Sequence, residues 1–175
     1  MTEQSIGHPS TAVVVGNPKP GSRTLAAATT LAAALAGRDP DLVVDLGSVG
    51  PGLLDWSDPD VARLVAEVGA ADLVVVASPT YKGTYTGLLK LFLDRFAGGT
   101  GLTGIAVPLM LGAGPAHALA PELTLRPLLT ELGATVPGRG LYLLDTAYDD
   151  PAAYQPWLDA TRPTVERLLA HVVAA

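Results

Sequence analysis

The stretch Ala12-Val13-Val14-Val15-Gly16-Asn17-Pro18-Lys19-Pro20-Gly21-Ser22-Arg23-Thr24 decides the fold. Ala12–Val15 is a mainly β-branched run that halts at a glycine, the signature of a buried strand. Ser22-Arg23-Thr24 then opens an Ala/Leu-rich run through Ala36, and Gly37 supplies its stop, so a helix follows the loop. The same order recurs downstream. Leu73–Ala77 is a continuous apolar strand, as expected when both faces of a sheet are covered. It runs into Ser78-Pro79-Thr80-Tyr81-Lys82-Gly83 and then a helix expected over Thr84–Phe96, stopped by Gly98-Gly99.

The remaining chain repeats the alternation. Leu42–Asp45 reads as a strand followed by a Gly/Pro-rich loop through Ser57, and Asp58-Pro59 caps and starts a helix ending near Gly69. Ile105–Leu111 reads as a strand in which Pro108, unable to donate to a ladder, predicts a bulge or bend. A helix over Pro115–Leu132 is expected to be interrupted or kinked at Pro121 and Pro127, then a strand at Leu141–Leu144 and a last helix over Tyr154–Val173. Five strands alternating with five helices make an α/β chain with a parallel sheet and right-handed crossovers. Residues 1–10 are expected as a disordered leader and residues 11–175 as a single domain.

Bulk composition narrows the function classes. The 175 residues carry a net charge of −6, which disfavours nucleic acid or an anionic membrane as the main partner. Cysteine is absent, which excludes disulfides, thiolate nucleophiles and cysteine-based metal sites. No charged segment followed by an apolar run opens the sequence, and no apolar run reaches the roughly 20 residues of a membrane helix. The expectation is a cytoplasmic protein. Only 16% of residues are charged, against about 25% in ordinary soluble proteins, so part of the surface is expected to be covered by another subunit.

The two long loops carry the chemistry. Loops at the carboxyl ends of parallel strands are where an open α/β sheet binds its ligand. In the first, Gly21 is followed by Ser22 and Arg23 where a P-loop needs lysine and a hydroxyl residue, and Pro18 replaces the middle glycine of a dinucleotide fingerprint. Asp45 is positioned to mimic a nucleotide hydrolase's metal ligand, but one acid ending a strand is common. What remains is the Ser22 and Thr24 hydroxyls, the Arg23 guanidinium and helix N-terminal amides, a donor set suited to a phosphate monoester. The plainer alternative is that Ser22 only caps the helix and Arg23 is solvated. Pro79-Thr80-Tyr81-Lys82-Gly83 offers backbone N–H groups and a tyrosine for a flat ring, or else a simple turn around a core tyrosine. Gly112-Ala113-Gly114 lets a ligand approach the backbone, or is an ordinary turn, and His117 follows it as a binding or a surface residue. All three lysines, Lys19, Lys82 and Lys90, lie in or just beyond the first two loops. An anionic, planar cofactor is implied, and flavin mononucleotide (FMN) fits best.

The segment from Ser78 through Asp94 resembles the P-x-Y-x-x-x-x-x-G-x-L-K-x-x-x-D signature of the NADPH-dependent FMN reductases. Tyr81-Lys82, Pro108-Leu109, Ala116-His117 and Leu125-Arg126-Pro127 are most similar to the branch that supplies reduced flavin to alkanesulfonate-type two-component monooxygenases. The likeness runs from Val13 to Leu144, with Asn17 standing where serine is common and Pro20-Gly21 an unusual pair. The resemblance implies a flavodoxin-like three-layer sandwich with strand order 2-1-3-4-5. It implies FMN contacts from Asn17, Ser22, Arg23 and Thr24, from Pro79, Thr80, Tyr81, Lys82 and Gly83, and from Gly112, Ala113 and Gly114. Lys19 and His117 join them as candidate cofactor-binding residues, and Lys19 or Lys82 is the candidate contact for the 2′-phosphate of NADPH.

The implied reaction moves a hydride from the nicotinamide of NADPH or NADH to FMN. The cofactors carry that chemistry, so no catalytic side chain and no metal ligand is named. A flavin-dependent monooxygenase is the implied partner. A homodimer or homotetramer is implied too, with Leu88, Leu89, Leu91, Phe92, Leu93 and Phe96 forming a wide apolar stripe on the helix beside the flavin. Lys90 and Asp94 on that helix are expected as a weak exposed pair. The alternatives are a reductase that keeps its flavin and acts on quinones, azo dyes or metal oxyanions, and a flavodoxin-like electron carrier without NAD(P)H activity.

Overall fold

The computed structural model describes residues 8–173. Five strands, β1 (Thr11–Val15), β2 (Leu42–Asp45), β3 (Leu73–Pro79), β4 (Ile105–Gly112) and β5 (Leu141–Leu144), form one parallel sheet in the order β2-β1-β3-β4-β5. Side chains alternate across it because strand residues point to opposite faces in turn. Val13 and Val15 meet helices α1 (Arg23–Ala36) and α6 (Pro151–Val173) on one face. Ala12 and Val14 meet α3 (Pro59–Gly69), α4 (Gly87–Leu93) and α5 (Arg126–Glu131) on the other, after a short α2 (Leu46–Val49). β3 lies at the centre with Leu73 to Ser78 buried, which explains its unbroken apolar sequence.

Local chemistry sets the helix ends. Ser22 caps α1 by accepting from the Leu25 N–H, and Gly37 closes it in the left-handed region at φ 71°. Asp58 caps α3 by accepting from the Asp60 and Val61 amides, with Pro59 in the first turn.

Several expectations need correction. Pro108 makes no bulge: the β3–β4 register runs unbroken from Leu73↔Ile105 to Pro79↔Leu111. The Ala106 N–H donates away from β3, to the Thr135 carbonyl, and Pro108 shares its direction. β5 begins pairing only at Leu109↔Leu141, so the missing N–H of Pro108 faces a gap in the ladder. The loop before Ser57 is not structureless but holds α2 and a 3-10 turn over Gly50–Leu54. The segment 115–132 is interrupted as expected, into a 3-10 turn over Pro115–His117, a π turn over Pro121–Leu125 and α5, with each proline at the start of a piece. The last helix begins at Pro151, three residues early.

The apolar stripe of the fourth helix is consumed within the chain. Leu89, Phe92, Leu93 and Phe96 are buried in its own core, with Phe92 and Phe96 edge to face, and Leu91 alone of the six is exposed. Lys90 and Asp94 form the expected exposed pair, which raises the Lys90 pKa. Residues 1–7 of the expected leader lie outside the described residues, whereas Ser10 is tied to Asp72 through its N–H (2.6 Å) and hydroxyl (2.8 Å).

Candidate functional site

The strand order reverses between β1 and β3, and ligand crevices of open α/β sheets form at such a point, beyond the carboxyl ends of the strands. The loops leaving β1, β3, β4 and β5 meet there around a cleft of about 390 Å³. That lies within the range of small-molecule sites, roughly 300–1,000 Å³. Asn17, Lys19, Ser22, Arg23, Thr24, Pro79, Thr80, Tyr81, Gly112 and Ala113 line it, so ten of the sequence-selected residues converge from three separate loops. Gly21, Leu111 and Asp145 line it as well, and the sequence reading did not name them as site residues.

The first loop is built to present donors. Gly16 opens it where the backbone presses on α4; a side chain there would sit 2.3 Å from the Leu89 Cβ. Asn17 folds the loop by accepting from the Lys19 N–H (2.9 Å) and donates to the Thr24 hydroxyl (3.0 Å). Asp45 accepts from the Gly21 N–H (2.9 Å) and so anchors the loop to β2. The Ser22 hydroxyl accepts from Leu25, and the Thr24 hydroxyl accepts from Asn17. A hydroxyl has one proton to give, so both groups, already serving as acceptors, keep their O–H to donate. The first-turn amides of α1 add N–H groups without helical acceptors and the positive end of the helix dipole. This donor set fits a phosphate.

The second loop is a tight hairpin rather than the start of a helix. Tyr81 and Thr84 pair across it (Tyr81 N–H to the Thr84 carbonyl, 2.9 Å), and Lys82 and Gly83 take positive φ of 54° and 83°, the pattern of a type I′ turn. The helix therefore starts at Gly87, capped by Thr86, not at Thr84. Tyr81 is 54% exposed at the mouth of the cleft, so it is not a core tyrosine. Thr86 knits the two loops together: its buried hydroxyl donates to the Gly16 carbonyl (2.5 Å) and accepts from the Leu89 N–H (3.1 Å), and its N–H donates to Ser78 (3.0 Å).

The third loop depends on Tyr142. Its phenol donates to the Gly114 carbonyl (2.6 Å) and lies so close over Gly112 that a side chain there would stand 1.9 Å from the hydroxyl. Burial pushes the Tyr142 phenol above its ordinary pKa. Lys82, Gly83, Gly114 and His117 do not line the main cleft; Gly83 and His117 share a neighbouring depression with Leu119 and Leu123.

Arg23 is not simply solvated. Its Nη1 donates to the Asp145 backbone carbonyl (3.1 Å) and lies 3.3 Å from the Asp145 carboxylate, at the start of the loop after β5. No signal within the loop sequences pointed to Asp145, which lies 122 residues from Arg23.

A 2-1-3-4-5 parallel sheet with a phosphate-type helix N-terminus at its switch point defines a flavodoxin-like protein. Within that class the chain belongs to the NADPH-dependent FMN reductase family, whose sequence pattern matches residues 9–149. It is 31% identical over 108 residues to an FMN reductase (NADPH) of Pseudomonas putida, covering 62% of this chain and 51% of that protein. It is 32% identical over 138 residues to the NADH-dependent FMN reductase SfnF of Pseudomonas fluorescens, covering 74% of this chain and 73% of that one. Among solved structures, an apo NADH:FMN oxidoreductase superposes with a TM-score of 0.77 at 28% identity, covering 93% of this chain and 89% of that chain. The match to the P. putida reductase thus spans about half that relative's length. No helix among the described residues is long and apolar enough to cross a membrane.

Proposed function

We propose that the protein is an NAD(P)H-dependent FMN reductase that passes reduced flavin to a flavin-dependent monooxygenase in the cytoplasm. The observation that carries the reading is the meeting of three loops in one cleft, with the Ser22 and Thr24 hydroxyls each left with a proton to donate. Family membership and the NADH- or NADPH-dependent activities named for the relatives support it.

FMN, when bound, supplies the hydride acceptor. Ser22, Thr24 and the α1 amides hold its phosphate, with Arg23 and Lys19 adding positive charge. The backbone of Pro79–Tyr81 and of Gly112 and Ala113 would border the ring, and Tyr81 stands at the mouth, where it would limit water and steer the nicotinamide. Lys82 projects from a turn beside that mouth and meets, with Lys19, the 2′-phosphate of NADPH. The protein assembles as a homodimer or homotetramer through the face beside the ring loop, where Leu119 and Leu123 are exposed around Gly83 and His117.

Mixing purified protein with FMN and NADPH or NADH, and following loss of pyridine-nucleotide absorbance, tests the activity. Oxidation that requires added FMN supports a reductase that exchanges its flavin. No oxidation with either nucleotide overturns the reading. An unchanged NADPH-to-NADH preference in the Lys19→Ala/Lys82→Ala double variant removes the role given to the two lysines.

A further inference from the structure

The cleft meant for a phosphate has a carboxylate in its wall. Asp145 lines it, 38% exposed, and occupies Arg23 twice through one nitrogen, Nη1, by its backbone carbonyl and its carboxylate. A second acid, Asp45, stands behind the same loop on the Gly21 amide. A site selected only to retain a phosphate dianion would leave its arginine uncommitted and its wall free of negative charge. We propose, on the reading that FMN is the ligand, that Asp145 sets the affinity of the phosphate end: it holds down the charge of Arg23 and opposes the phosphate, so that the flavin leaves between turnovers.

The two actions of Asp145 separate by chemistry. Its backbone carbonyl and an acceptor oxygen at the side chain orient the guanidinium and leave the Nε and Nη2 donors uncommitted to Asp145. Its negative charge weakens the site. Asp145→Asn keeps the carbonyl and the acceptor oxygen but deletes the charge, which leaves orientation intact and removes the repulsion. The pair is partly solvent-exposed, so screening limits the effect to about three- to tenfold in Kd. Riboflavin, which shares the ring but lacks the phosphate, feels none of it.

The test titrates FMN and riboflavin into wild type and Asp145→Asn, reading quenching of flavin fluorescence at low and high salt. Asp145→Ser serves as a second variant, and melting temperature confirms folding in each. The expected result is tighter FMN binding by both variants, unchanged riboflavin binding, and a gain that shrinks as salt screens it. In an Arg23→Gln background the gain from Asp145→Asn falls, because only the direct repulsion remains to be relieved. FMN binding that Asp145→Asn leaves unchanged or weakens, or a riboflavin gain equal to the FMN gain, overturns this role while leaving the flavin reading intact. Failure of wild type and variants alike to bind FMN overturns both.

Discussion

Replacing Thr86 by valine tests how the site is held together. Valine matches threonine in shape but has no hydroxyl, so the change deletes the donation to the Gly16 carbonyl and the cap on the Leu89 N–H without opening a cavity. Thr86 is 4% exposed, so water has little access to the groups left behind. A lost helix cap costs about 1 kcal/mol, and a buried polar group left unsatisfied costs about 1–3 kcal/mol. The cap is lost at Leu89 and the unsatisfied group is the Gly16 carbonyl, so the two add to a loss of about 2–4 kcal/mol. For a chain of this length that lowers Tm by roughly 4–16 °C. Urea unfolding followed by far-UV circular dichroism measures it directly, with Thr86→Ser as the control. Serine keeps the hydroxyl and loses one methyl, about 1 kcal/mol. A Thr86→Val protein within 0.5 kcal/mol of wild type, or a serine variant as unstable as the valine one, refutes the idea that this hydroxyl joins the two loops.

Gly112→Ala must displace the Tyr142 phenol from its place over the backbone and break its bond to the Gly114 carbonyl; a loss of about 1–3 kcal/mol is expected in urea unfolding, together with weaker FMN binding. Lys82 holds a left-handed conformation that costs an L-residue roughly 1–2 kcal/mol, and Asn-Gly is the preferred pair for a type I′ turn. Lys82→Asn should therefore raise stability by about 0.5–1 kcal/mol in thermal unfolding, and a drop in Tm would mean the turn is not of this type. Burial, with the charge of Asp149 adding to it, pushes the Tyr154 phenol up to about 12, and its hydroxyl donates to the Tyr148 carbonyl. A pKa raised on folding gives stability that is intact below the unfolded value, about 10, and is lost as pH rises to the folded one. Tyr154→Phe should thus be about 1 kcal/mol less stable than wild type at neutral pH but escape a loss of roughly 2–3 kcal/mol between pH 10 and 12, so that the two stability curves cross.

The sequence was most legible where one local rule acts alone. β2 and β5 lie at the residues read for them because short apolar runs are bounded by turn-formers, and Ser22 and Asp58 mark helix starts because each hydroxyl or carboxylate caps its own first turn. Pro108 is not legible in this way because the rule concerns the direction of its missing N–H, and that direction has meaning only with β5 beginning to pair at Leu109. Thr84 looks like a helix start because the hairpin signal at Lys82-Gly83 is a pair of positive φ angles, which lysine does not advertise. The stripe on α4 looked too wide for a single sheet contact, yet the core beneath it absorbs four of its six members.

Asp145 shows what separates the two kinds of information. Nothing near it in sequence points to Arg23, but both lie in segments that leave the carboxyl ends of strands in one parallel sheet, Arg23 where the loop after β1 enters α1 and Asp145 directly after β5. In a parallel sheet the loops after the strands emerge at the same edge, and an acid directly after β5 stands on the ligand side. The strand order follows from the alternation of elements and the resemblance together, and the charged residues at the carboxyl ends of the strands, Asp45 and Asp145, then fall on the ligand side, Asp145 in the cleft wall and Asp45 behind the first loop.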